Sequence, residues 1–349
     1  DLAEVRGRSA GVVNEVGAGE RAIAPETASG LAEAFGTSAE LWMNLESVWQ
    51  LSKLSTENDA ITRRARLYDK FPVKEMIRRG WIEASPSISI LETRFKQFFN
   101  LQSLDQEPQS AHAFRRRDVE DGPSMLQLAW LFRVRKIAEQ AVVAKFSADK
   151  LPACLEELKK LLPSAEEIRH VPRILADAGI RFVLVEALPS SGIDGVCCWI
   201  DRKHPVIALS LRFDRIDWFW FTLLHELRHV ANGDGKDVVV IDTNLVGDNA
   251  TGENISPSEV KADREAQEFL ISEVEIKNFI ARVSPLYSEA RVVGFAGRIG
   301  VHAGVVVGRL QKLEEIPYSN LRKHLVKIRN IIVPVALTDG WKSTISVTA

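Results

Sequence analysis

The chain has 349 residues, 46% of them hydrophobic and 26% charged, which suits a soluble globular protein with two or three cores. Its net charge of −2 is nearly neutral, and its longest apolar runs, such as Ile331 to Leu337, fall far short of a membrane span. Three cysteines without C-x-x-C spacing exclude a disulfide framework or a cysteine-built zinc site, and no charged-then-apolar signal segment opens the chain, so the expected compartment is the cytoplasm.

Residues 1–50 predict short helices separated by turns. Leu2 to Arg6 precede Gly7, Ser9 caps a short helix to Val16, and Pro25 begins a helix that runs to Phe35 before Gly36. Ser38 caps the next helix, with Leu41, Trp42 and Leu45 on one face. Short helices joined by tight glycine-containing turns suit a helix-turn-helix, although small bundles share the pattern. The same fifty residues hold eight acids against three arginines, whereas Ile61 to Gly80 hold seven bases. Such runs are most often solvated helix faces, and phosphate binding is the secondary reading.

The stretch "VVNEVGAGERAIAPETASGLAEAFGTSAELWMNLE" resembles the HigA-type antitoxins, a branch of the Cro/repressor-like (XRE) DNA-binding family, most specifically at "ERAIAPETA" and "FGTSAELWMNL". The resemblance implies a helix-turn-helix module over 1–50 whose first helix precedes Asp1, with Ser9 to Val16 as recognition helix. Asn14 would then read adenine and Glu15 cytosine, with Arg6, Arg8 and Arg21 on phosphates. Operator DNA and a homodimer are the implied partners.

Residues 51–162 read as a helical linker with no chemical motif. Pro72 and Pro86 break helices, Gln106 to Pro123 reads as an exposed loop, and Met125 to Val143 is a long apolar-periodic helix containing Trp130 and Phe132. A third module is expected over 163–330: a helix from Ala165 to Gly179, then strand-like runs at Arg181–Ala187, Gly195–Ile200 and Pro205–Leu211. Cys197 and Cys198 fall in such a run and read as core.

His225, Glu226 and His229 then spell H-E-x-x-H. On a helix, residues four apart share a face, so two imidazoles can grip one ion while the intervening glutamate stays near it as a base. Phe219, Phe221, Leu223, Leu224, Leu227 and Val230 make this helix apolar on most sides, which marks a buried helix. Buried histidine and glutamate need partners, and a metal supplies them. Catalytic zinc usually takes a third protein ligand plus water. Glu259 is a candidate, in the first turn of a helix over Glu259–Ile271 that Ser256-Pro257 starts and in which Ala262 and Ala266 permit close approach. By position alone, Glu259 also suits a capping box with Ser256.

"FTLLHELRHV" followed by "EVKADREAQEFLIS" resembles the ImmA/IrrE family of zinc-dependent peptidases, in which an H-E-x-x-H helix is followed by E-x-x-A-[ND]-x-x-A. The resemblance implies a zincin-like fold with Zn2+ on His225, His229 and Glu259 and with Glu226 as general base. "FAGRIGVHAGVVVGRLQ" resembles the family's C-terminal helices. Two positions depart from the pattern. Arg228 stands where glycine is common, with the options of pointing away, pairing with a carboxylate or narrowing the cleft. Ser272 stands where proline often ends the second motif. His302, at a helix start, reads first as a cap or core residue and second as a group that polarises a substrate carbonyl. Residues 331–349 form a tail, strand-like in part.

The fold class expected is mainly α with a small α+β domain: helix-turn-helix, helical linker and zincin-like metallopeptidase. The expected function is a transcription regulator of toxin–antitoxin type, with a fused zinc hydrolase acting on a protein substrate or toxin partner. The alternatives are a non-catalytic repressor that uses the zinc fold for binding or sensing, and a DNA-binding protein whose metal motif is incidental.

Overall fold

The structure is a computed structural model that describes residues 15–18, 20–106, 108, 114–116, 123–236, 239–243, 256–341 and 343–344. It is mainly helical with one small mixed sheet. The chain divides into two compact units, Asp1–Lys70 and Phe71–Ala349.

In the first unit, α1 (Pro25–Phe35) starts on proline at its first turn and stops at Gly36, whose φ of 63° is the left-handed conformation that ends helices on glycine. Ser38 Oγ accepts from Leu41 N at 3.2 Å and starts α2 (Ala39–Lys70), as expected. The boundary expected at residue 50 is not there. No glycine or proline interrupts residues 39–70, so α2 runs unbroken to Lys70, and Pro72 follows.

The second unit takes in residues that were expected to be linker and tail. It begins with α3 (Val73–Arg78) and α4 (Ile88–Phe99), followed by β1 (Phe114–Arg116), where a loop was expected. Next come α5 (Met125–Ala138), α6 (Leu151–Leu161) and α7 (Val171–Asp177), the last entered through a 3-10 turn. The strands are β2 (Arg181–Val185), β3 (Ile193–Trp199) and β4 (Pro205–Leu209). After α8 (Ile216–Asn232) and β5 (Val239–Thr243) come α9 (Pro257–Leu270), α10 (Glu273–Val283), α11 (Glu289–Ile299) and α12 (Ala303–Lys312). The short α13 (Arg329–Ile332) leads to β6 (Leu337–Gly340) and β7 (Ser343–Thr344). Among the described residues the sheet order is β1-β5-β3-β4-β2-β6-β7, so the strands at both ends of this unit join the central ones.

β3 and β4 are buried along their whole length, which explains their near-continuous apolar runs: both faces of the sheet are covered. Strand residues alternate between the faces. Phe182, Leu184, Cys197, Trp199, Ile207 and Leu209 join the core that contains Phe219, Trp220, Leu223 and Leu224 of α8. The alternate set, including Val183, Val196 and Ala208, lies on the opposite face. α5 packs on β2, and Trp130 Nε1 donates to Val185 O at 2.9 Å. Arg79 reaches the loop after β2, donating to the carbonyls of Glu186 (2.6 Å) and Ala187 (2.8 Å). The division expected at residues 162–163 is therefore absent, because α3 to α6 belong to the same unit as the sheet.

No single helix among the described residues is long and apolar enough to cross a membrane.

Candidate metal centre

α8 lies on the sheet with apolar residues on nearly every side: Phe219, Trp220, Thr222, Leu223, Leu224, Leu227 and Val230 are all buried. It ends at Gly233, where φ is 76°. The buried face toward α9 carries His225 (0% exposed) and His229 (4%) one turn apart. Their Nε2 atoms converge to 3.0 Å and their rings meet edge-on.

Glu259 enters from α9, where Ala262 and Ala266 are wholly buried and let that helix approach α8 closely. Ser256 caps α9 by accepting from Glu259 N at 3.4 Å. The Glu259 carboxylate itself turns to the histidines, 3.1 Å from His225 Nε2 and 3.3 Å from His229 Nε2. The backbone of Glu259 thus serves the cap while its side chain joins the histidine cluster.

A fourth donor is present that sequence reasoning missed. Asp242, on β5, is 1% exposed and places Oδ2 3.5 Å from His225 Nε2. One donor atom each from His225, His229, Asp242 and Glu259 lie within 4.8 Å of one another. β5 pairs antiparallel with β3, and the register sets Asp242 opposite Gly195, on the face that α8 covers. A signal existed in "VVVIDT", where an acid directly follows four β-branched residues and so lies within a buried strand.

The other ring nitrogens also face carboxylates. His225 Nδ1 stands 2.9 Å from Asp263 Oδ1, and His229 Nδ1 stands 2.9 Å from Asp234 Oδ2. A carboxylate on Nδ1 fixes the tautomer that presents Nε2 to an ion, and it raises the basicity of the ring.

Glu226 is 0% exposed and lies over Gly195. A Cβ at Gly195 would run into Glu226 Oε1 and stand 2.9 Å from Thr222 Cγ2, so the glycine makes room for the carboxyl. Burial pushes Glu226 well above the usual carboxylate range, and the charge of Asp242 adds to the effect. Burial opposes protonation of His225, yet Asp242, Asp263 and Glu259 outweigh it and hold its pKa well above the ordinary imidazole value. His229 is raised in the same way, against burial, chiefly by Glu259 and Asp242. Burial also opposes the charged form of Glu259, but both histidines pull it far below the usual range. The cluster therefore attracts positive charge, which two protons or one dication can supply.

Zinc bonds of about 2.0–2.1 Å in a tetrahedron separate donors by about 3.3–3.4 Å. The contacts around the two Nε2 atoms are of that order: 3.0 Å between them, 3.1 and 3.3 Å to the two Glu259 oxygens and 3.5 Å to Asp242, while one donor atom from each of the four residues lies within 4.8 Å of the others.

Arg228 points to α9: its Nε is 3.8 Å from Glu265 Oε2, with the guanidinium beside the Phe269 ring. Of the three options open from sequence, pairing with a carboxylate is the one observed. Ser272, in place of proline, caps α10 by accepting from Glu275 N at 3.3 Å.

His302 is not in the cluster. It caps α12, with Nδ1 accepting from Gly304 N at 3.0 Å, and Gly304 packs against Ile216. Ile216 opens α8, about 13 Å of helix rise from His225. Burial lowers the His302 pKa, in keeping with a neutral acceptor. The structure supports the capping role and does not bring this histidine to the carbonyl-polarising one.

Of the residues assigned to DNA, Arg6, Arg8 and Asn14 lie outside the described residues. Glu15 and Arg21 are exposed and pair with each other at 3.2 Å.

Comparisons with protein-family models, curated proteins and solved structures return no match to this chain.

Proposed function

We propose that the Phe71–Ala349 unit is a zinc-dependent endopeptidase acting on a protein partner, and that residues 1–50 form a DNA-binding helix-turn-helix. The whole would be a regulator of the kind its resemblance to HigA-type antitoxins and ImmA/IrrE peptidases implies, working on operator DNA as a homodimer. The carrying observation is the convergence of His225 Nε2, His229 Nε2 and the Glu259 carboxylate, with Glu226 buried beside them. His225, His229 and Glu259 would hold the ion, with Asp263 and Asp234 orienting the rings.

When bound, a zinc ion supplies Lewis acidity and lowers the pKa of a coordinated water to about 7. The chain's own contribution is proton handling. Glu226 takes the proton from the attacking water and returns it to the departing amine. Gly195 leaves the space that this carboxyl occupies.

The test is Glu226→Gln in the full chain. Metal content should stay at the wild-type level while cleavage of a partner protein falls by about 100-fold or more, the scale of a lost general base. Unchanged cleavage would remove Glu226 from the chemistry.

A second reading, a non-catalytic binding or sensing module, is favoured by Asp242. Four protein donors around one ion are typical of structural zinc sites, whereas catalytic sites keep one position for water.

A further inference from the structure

Three of the four donors sit on long, well-buried helices. His225 and His229 share α8, a helix of 17 residues, and Glu259 is on the 14-residue α9. The fourth donor, Asp242, belongs to a different kind of element. Among the described residues β5 is a strand of five, its register with β3 shifts between Ile193 and Gly195, and it is paired on its other side with β1. Moving β5 would therefore take one donor from the cluster and leave the other three on their own helices.

The corner that Asp242 fills is the one beside the base. Gly195 is its register partner on β3, and the Glu226 carboxyl lies over Gly195. A single carboxylate thus meets His225 Nε2 at 3.5 Å and sits opposite the strand position that the Glu226 carboxyl covers. In a hydrolytic site that position belongs to the attacking water, which must touch the ion and the base together. Asp242 and that water compete for one place.

We infer that Asp242 is a displaceable fourth metal ligand that keeps the site latent, and that hydrolysis requires β5 to withdraw it from the coordination sphere. The inference rests on the metallopeptidase reading and names the regulation of that same site. It also reconciles the two readings above: the closed four-donor set is the resting state, and the three-donor set is the active one. Val239 and Ile241 are buried, so β5 does not leave unaided. The binding of the protein partner has to supply the difference between the two states, which makes the site responsive to its target.

The test uses the full chain loaded with cobalt(II), whose visible bands report coordination, and acetohydroxamate as a probe for an open position. Wild type should take up one equivalent of cobalt and show bands that acetohydroxamate does not shift. Asp242→Asn and Asp242→Ala should still take up one equivalent, with bands that shift on addition of the probe and a probe affinity at least tenfold above wild type. Wild-type bands that respond as readily as those of the variants would show that Asp242 does not fill the position, leaving the metal site itself intact. Variants that bind cobalt but ignore the probe would overturn the inference in the same way. Loss of cobalt from both variants would make Asp242 an indispensable structural ligand rather than a displaceable one. A wild type that takes up no cobalt would remove the metallopeptidase reading and the inference together.

Discussion

His225 and His229 each have a second carboxylate at the ring nitrogen that does not meet Glu259. Asp263 stands 2.9 Å from Nδ1 of His225, and Asp234 is hydrogen-bonded to Nδ1 of His229. With a carboxylate at each Nδ1, Nε2 is the nitrogen that each ring turns to the cluster. Asp263→Asn removes the charge and leaves an amide that can present either end to the ring. Such changes next to a metal-bound histidine cost about 10- to 100-fold in affinity, and competition with a chromophoric chelator measures that directly. Affinity equal to wild type would mean that the Asp263 contact does not orient the ring. His225, Glu226, His229 and Glu259 were all legible in the sequence, because their chemistry demands a fixed helical spacing and a recognisable second helix. Asp242 and Asp234 were not, since sheet register and the turn after α8 bring them in, and neither leaves a local pattern. Asp263 sits one turn beyond Glu259 in the same motif, and only the packing of α9 on α8 brings it beside His225.

At the scale of elements, the packing of α8 on β3 turns on Gly195. A methyl group there meets the Glu226 carboxyl and the Thr222 side chain, both buried. Gly195→Ala should therefore destabilise the unit by about 1–3 kcal/mol, the usual range for overpacking a core. Chemical denaturation reads the change, and an unaltered midpoint would show that α8 can shift without strain. β2, β3 and β4 were legible as apolar runs bounded by turn residues, and α1 was legible from Pro25 to Gly36. β1 was not, because "FRR" carries two charges in three residues and reads as loop until β5 is there to pair with it. The helix expected from Met125 to Val143 stops at Ala138, before the polar "EQ" that follows it.

For the whole molecule, the structure moves the boundaries. The segment expected as linker supplies α5, whose Trp130 and Leu131 are wholly buried and whose packing covers the sheet face opposite α8. Expressed alone, residues 71–349 should fold cooperatively and bind metal, because they keep both faces covered. Residues 163–349 should aggregate or bind hydrophobic dyes, because Val183, Val196 and Ala208 lose their cover. A soluble, metal-binding 163–349 fragment would restore the boundary read from the sequence. That boundary was misread because a helix that covers a sheet and a helix that joins two domains have the same periodicity.

The pairing of β6 with β2 also sets a schedule for synthesis. Val183 to Val185 find their outer partners in Leu337 to Asp339, and Arg133 finds its ion pair in Asp339, 206 residues away in sequence. A ribosome delivers every metal-site residue well before the strand that closes this side of the sheet. A nascent chain thus carries its histidines and acids past the exit with β2 still open along one edge, a surface that invites pairing with another chain. His225, His229 and Glu259 are thus all synthesised before the sheet is complete, and contacts this distant in sequence make the final step a slow one.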